Sequence, residues 1–234
     1  IKVLPPDINI SGSGFTADDS GRIRFGLNAV NNVGPRLIER SVEERQEKPY
    51  TSLYDFCKRM HGAELNRRTV ESLIKAGAFD NLGSNRRSLI EATEGVLKSI
   101  ESDSRKNLDG QIDLFSMMSG TDDTSAADSY EIKPCPEYTH AELLQQEKEV
   151  SGLYLSGHPL DAYREQSAQF ATHTIKALTG EDANVPDNSH VRIVCTIVKS
   201  KMVTTKTNSM MAYTSVEDLT GTMEVIVFPR TLET

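Results

Sequence analysis

"LNRRTVESLIKAGAFDNLGSNRRSL", residues 65–89, decides how this chain folds. Val70, Leu73 and Ile74 recur at helical spacing, Asn66 stands where a helix N-cap belongs, and Gly77 is placed to end the helix. "DNLG" then makes a turn, and a second helix opens from Ser84 with Leu89, Ile90, Val96, Leu97 and Ile100 facing inward. Two short helices joined by a glycine-containing turn are the repeating device of this region.

The pattern extends upstream. In "SLYDFCKRM", Ser52 and Asp55 have the spacing of a capping box, and Leu53, Phe56, Cys57 and Met60 form one stripe. Pro35 suits a first helical position, followed by Leu37, Ile38 and Val42. Residues 1–34 are irregular, with "GRIRFGL" as a short strand. Downstream, "THAELLQQEKEV" begins with a second capping box, Thr139 to Glu142, and stops at Gly152, and a further short helix starts at Pro159. Residues 181–190 are polar and contain a proline, which marks a boundary. Beyond them "VRIVCTIVKSKMVTT" and "MMAYTSVEDLTGTMEVIVFP" are β-branched and alternating, with "DLTGT" as the turn between the second and third strands. The expected fold is therefore mainly α with a smaller β module. It divides into an irregular start (1–34), a helical module (35–106), a flexible linker (107–136), a helical bridge (137–180) and a strand module (181–234).

Composition narrows the function classes. The 234 residues are 37% hydrophobic and 6% aromatic, with no tryptophan, which permits modest cores only. No apolar run reaches the ~18 residues of a membrane span. Cys57, Cys135 and Cys195 share no short spacing, which argues against a disulfide framework or a zinc site and fits a reducing cytoplasm. The absence of a starting methionine suggests a piece of something longer. A net charge of −8 excludes a wholly basic nucleic-acid surface, so any such contact is local. Lys58, Arg59, Arg67, Arg68, Lys75, Arg86 and Arg87 outnumber the acids between residues 57 and 87, while residues 101–149 are acid-rich.

"LNAVNNVGPRLIERSV" fits a helix-hairpin-helix, in which hairpin amides approach a DNA phosphate at a helix N-terminus. The hairpin is Asn32-Val33-Gly34, where Asn replaces the usual first glycine and tolerates positive φ. An ordinary helix connection is the alternative. Gly83, Arg86 and Arg87 offer a second hairpin, with a solvated basic face as its alternative. Tandem hairpins would contact phosphates and read no sequence. In the strand module, Lys199, Lys201, Lys206, Tyr213 and Phe228 have the makings of a single-strand-binding groove, but an OB barrel needs about five strands and three are visible. Phe228 in "VIVFP" reads better as core. Catalysis finds no support: the five histidines are scattered, and Asp18–Asp19 and Asp122–Asp123 are adjacent pairs in polar loops. No catalytic or metal-ligating residue is expected. One puzzle remains. Polar residues 107–129 hold Ile112, Leu114, Phe115, Met117 and Met118, either as a staple onto their own domain or as a peptide for another protein's groove. In "QIDLF", Gln111 can donate and accept, Asp113 keeps the motif hydrated, and Leu114 and Phe115 are adjacent anchors.

Taken together, "LPPDINISGSGF", "IRFGLNAVNNVG", residues 65–89, "GQIDLF", "EKEVSGLYLSGHPLDAY" and "AYTSVEDLTGTMEVIVFP" resemble the C-terminal half of the alpha subunit of bacterial DNA polymerase III, a C-family replicative polymerase. The resemblance runs nearly end to end. It implies a tandem helix-hairpin-helix domain followed by an incomplete OB-type barrel. It implies that Gln111, Ile112, Asp113, Leu114 and Phe115 dock on the β sliding clamp, with Ile112 the variable position. Val33, Gly34 and Arg36 carry over as the first hairpin's contact with double-stranded DNA, Asn32 being a departure. Gly83, Arg86 and Arg87 carry over more loosely, and single-stranded template would face the OB portion. The family's palm carboxylates and their Mg ions, and its PHP domain, have no counterpart here, so this segment is expected to hold no cofactor and not to polymerise DNA. The rival expectations are a free-standing helix-hairpin-helix/OB adaptor of repair or recombination and a metal nuclease using the acidic loops.

Overall fold

The computed structural model describes residues 2–62, 64–108, 130–180 and 183–232. The chain forms two compact units, residues 1–156 and 157–234. This division differs from the expected one, because the bridge is split. Its first helix belongs to the first unit and the remainder to the second.

In the first unit a small sheet is built from β1 (Val3–Leu4), β2 (Thr16–Ala17) and β3 (Ile23–Arg24). β3 lies centrally, parallel to β1 and antiparallel to β2. Helices α1 (Pro35–Glu47), α2 (Leu53–Arg59), α3 (Arg67–Lys75) and α4 (Arg86–Leu108) follow, and α5 (His140–Ser151) completes the unit. The starts of α2, α3 and α5 follow from side-chain capping. Ser52 Oγ accepts from Asp55 N, Asn66 Oδ1 from Thr69 N, and Thr139 and Glu142 form a reciprocal box. For α4 the cap is Asn85, whose Oδ1 accepts from Ser88 N at 2.8 Å, and not Ser84. Asn85 has the same one-residue lead over its helix as Asn66.

One core joins the irregular start to the helices. Ile8 and Leu27 pack with Leu37, Ile38, Phe56, Leu73, Ile74, Phe79, Leu89 and Val96, all nearly inaccessible to water. Tyr50, Phe56 and Phe79 meet edge to face at 5.1 and 5.2 Å, an arrangement favoured by their ring quadrupoles. Residues 1–34 are thus part of the helical domain. A smaller cluster of Phe25, Val30, Ala76, Val150 and Leu155 ties α5 to the same body.

The expected linker also differs at both ends. α4 runs to Leu108, and residues 130–139 lie along the unit as a strap. Tyr130 stacks on Tyr54, Ile132 packs on the core, Asn85 Nδ2 donates to Cys135 O, and Cys135 N donates to Ser88 Oγ. Gln111, Ile112, Asp113, Leu114 and Phe115 fall outside the described residues.

The second unit holds α6 (Arg164–Phe170), α7 (Ile175–Thr179), strands β4 (Thr196–Thr204), β5 (Met210–Glu217) and β6 (Thr222–Val227), and the short α8 (Pro229–Leu232). The sheet is an antiparallel meander, β4-β5-β6, with a register shift between Ile197 and Lys199. Ala212, Thr214 and Val216 of β5 alternate inward, as a half-buried strand requires. Asp218 closes the β5–β6 turn by accepting from Thr220 N and Gly221 N, and its other oxygen accepts from Ile175 N at 2.7 Å. Three antiparallel strands after a helical domain match the expected architecture and are consistent with an incomplete OB-type barrel. Phe228 contradicts expectation. It is 62% exposed, because the apolar alternation of β6 ends at Val227 and the chain turns away into α8.

Candidate nucleic-acid interface

The first hairpin adopts the backbone its sequence allows. Asn32 has φ 65°, the left-handed conformation that Asn visits more readily than other non-glycine residues. Its carbonyl accepts from Thr69 Oγ1 at 2.9 Å and its Nδ2 donates to Ser72 Oγ at 3.2 Å, so α3 fixes the turn. Asn31 N donates to Val150 O at 2.7 Å, which fixes the turn to α5 as well. Val33 is half-buried against both clusters. Gly34 is the N-cap of α1 and makes no side-chain cap, and Pro35 follows at the first helical position. The start of α1 therefore has no side-chain cap, at the positive end of the helix dipole, and its nearest carboxylate is Glu64, whose Oε2 lies 3.6 Å from where a Cβ of Gly34 would stand. Arg36 lies in this first turn with its side chain 84% exposed, loosely paired with Glu64 at 3.6 Å.

The second hairpin has a different character. Gly83 does adopt φ 86°. The start of α4, however, is filled from within. Besides the Asn85 cap, the Glu137 carboxylate accepts from Arg86 N at 2.9 Å and Arg87 N at 3.1 Å. A carboxylate of the strap thus sits where a phosphate would bind. Arg86 itself is removed from the surface. It is 5% exposed, and its guanidinium donates twice to Asp80 (2.9 and 2.7 Å), to Lys75 O and to Glu147 Oε1 at 3.0 Å. Burial works against its charge, and the bonds to Asp80 and then Glu147 more than offset it, so its pKa rises. Arg86 is a structural residue, contrary to expectation. Arg87 stays at the surface but pairs with Glu91 at 3.1 Å and lies over the Tyr138 ring at 5.7 Å. Gly77 belongs to this arrangement: its φ is 87°, and a Cβ there would come within 2.5 Å of Arg86 Nη2.

Glu147, wholly buried, is the residue that sequence reasoning passed over. Besides Arg86, it accepts from Leu155 N and Ser156 N, both at 2.9 Å. Its signal was available, since an acid at the third position after Leu144 and before Val150 lies on the inward stripe of α5.

In the second unit, Tyr213 is 43% exposed and shares a row of the sheet with Lys201 and Ile226. His158 and Asp161 are used in a local turn, with His158 N donating to Asp161 Oδ2 and Leu160 N to His158 Nδ1. Among the described residues no three His, Cys, Asp or Glu side chains converge to hold a metal ion, and no helix is long and apolar enough to cross a membrane. Asp18 is committed to Ser20 and Arg22, whose hydrogen bonds hold its carboxyl below the usual range.

Comparison with known proteins bears on this arrangement. A family model described as a helix-hairpin-helix motif matches residues 1–89. The DNA polymerase III subunit alpha of Borreliella burgdorferi is 34% identical over 100% of this chain, and that of Mycobacterium tuberculosis 36% identical over 99%. The Xylella fastidiosa subunit is 40% identical over 79%. The chain is homologous from end to end to DNA polymerase III subunit alpha. It spans about a fifth of the length of these curated relatives, 20% in the Borreliella protein and 19% in the Mycobacterium one. Within the chain, the matched motif takes in both hairpins and extends into α4 as far as Leu89.

Proposed function

We propose that the chain is the DNA-holding and clamp-tethering segment of a replicative DNA polymerase. The first hairpin, through the uncapped start of α1 and Arg36, holds duplex DNA by its phosphates and reads no sequence. Residues Gln111–Phe115 dock on the ring-shaped sliding clamp, so that release is followed by rebinding at high effective concentration and synthesis becomes processive. The strand module, with Lys201 and Tyr213 on one face, lies toward single-stranded template. Catalysis belongs to parts of the polymerase outside this chain.

The observation that carries the proposal is the end-to-end homology together with an uncapped helix start in the matched motif. One experiment tests both contacts. The chain is titrated with fluorescent duplex at several salt concentrations and, separately, with purified β clamp. Duplex affinity should fall steeply with salt, with a slope of about 0.9 per phosphate neutralised. Replacing Leu114 and Phe115 by Ala should abolish clamp binding and leave duplex binding as it was. A flat salt response removes the hairpin contact, and unchanged clamp affinity in the double variant removes the docking peptide.

A further inference from the structure

The basic residues around the two hairpins are unequal, and their inequality selects one of them. Arg59 donates to backbone carbonyls of Lys48 and Glu44 and lies over the Tyr50 ring at 4.4 Å. Arg67 pairs with Glu71 at 2.6 Å and Glu94 at 2.9 Å. Lys75 pairs with Glu149 at 2.9 Å, and Lys98 with Glu94 at 2.6 Å. Arg86 and Arg87 are held by Asp80, Glu147 and Glu91. On this face the cations Arg67, Arg68, Lys75 and Lys98 meet the carboxylates Glu71, Glu94 and Glu149, and Arg68 is the surplus. It is exposed and makes no ion pair among the described residues.

Position gives that surplus a use. Arg68 lines a polar cavity of about 510 Å³ beside Asn31 and Asn32 of the first hairpin, and the two carboxylates that also line it, Glu71 and Glu149, are engaged by Arg67 and Lys75. Its neighbour Thr69 is bonded to the Asn32 carbonyl, so the α3 backbone that carries Arg68 is fixed relative to the turn. An exposed guanidinium next to the turn that leads into α1 adds a charge-assisted donor to that side of the hairpin. At the second hairpin the amides at the start of α4 are already taken by Glu137.

We infer that the duplex-contacting surface is a single-hairpin surface in which Arg68, from the neighbouring helix, is a phosphate-binding arm alongside Arg36, while the second hairpin is closed by its own strap. The inference rests on the proposed duplex binding and goes beyond it by naming the contact residues. It also limits the footprint to the first turn and its flanks.

The test compares three variants of the whole chain on one fluorescent duplex across a salt series: Arg68→Gln, Arg87→Gln and Glu137→Gln. Arg68→Gln should weaken binding about fivefold at low salt and lower the salt slope by about 0.9, the share of one phosphate. Arg87→Gln and Glu137→Gln should leave both quantities within about 1.5-fold of the parent chain, since neither touches the surface in use. Arg68→Gln alters an exposed side chain, so circular dichroism should be unchanged. Equal losses in Arg68→Gln and Arg87→Gln, or tighter binding in Glu137→Gln, would overturn the inference. Absence of salt-dependent binding by the parent chain would instead count against the proposed function itself.

Discussion

Removing the carboxylate of Glu147 should cost the first unit a large part of its stability. The residue has no exposure, and the Arg86 side chain it meets has 6%. Glu147→Ala leaves three donors short: Arg86 Nη1, Leu155 N and Ser156 N. Breaking one partner out of a buried ion pair costs about 3–5 kcal/mol, because the remaining charge is stranded. Asp80 stays on Arg86 through two bonds, so the lower end, about 3 kcal/mol, applies. In a unit of this size that corresponds to a fall in Tm of roughly 10 °C. Glu147→Gln keeps the shape and one acceptor and should lose less. Thermal unfolding gives the magnitude, and hydrogen exchange at α4 and α5 assigns it to the first unit. A loss below ~1 kcal/mol for Glu147→Ala, with exchange unchanged at both helices, would refute the claim that this carboxylate ties α4, α5 and the following turn together.

At the first hairpin, Asn32→Gly should fold with a loss of no more than about 1 kcal/mol, since glycine accepts positive φ and only the bond to Ser72 is given up. Asn32→Val should lose about 2 kcal/mol in urea unfolding and weaken duplex binding with it, because a β-branched side chain strains that backbone. In the second unit, burial alone would raise the Asp218 carboxyl, but the bonds from Ile175 N, Thr220 and Gly221 outweigh it and hold the pKa below the ordinary value. With the folded pKa depressed, its stabilisation is complete above the unfolded value of about 3.9 and is lost as pH falls through the folded one. Urea midpoints of this unit between pH 6 and 2 should therefore drop less steeply in Asp218→Asn than in the parent chain.

Much of this was legible in the sequence because it was local. Asn66, Ser52, Thr139 and Gly152 mark helix ends through bonds spanning a few residues, and the helices end where those residues stand. The three strands and the turn at Asp218 follow from alternation and composition in the same way. What was not legible depends on partners distant in the chain. Arg86 looks like a surface cation until Glu147, 61 residues on, is brought beside it. The phosphate-like position of Glu137 arises only when the strap returns 51 residues later to the start of α4. Arg68 lies between these cases. Arg67 and Arg87 each have a glutamate four residues on, whereas Arg68 has Ser72 there and Glu71 three residues on, so spacing offers Glu71 to both arginines and only the structure gives it to Arg67. Phe228 misled because hydrophobic residues at a strand end do not reveal which way the chain leaves the sheet.

The strap has a mechanical consequence. Residues 109–129, with the peptide Gln111–Phe115 among them, start from the end of α4 and finish at Tyr130, and both anchor points belong to the same unit. A tug on that peptide would load the helical body twice, once through α4 and once through the ring stack of Tyr130 on Tyr54. Both of those anchor points lie before the boundary at residues 156–157.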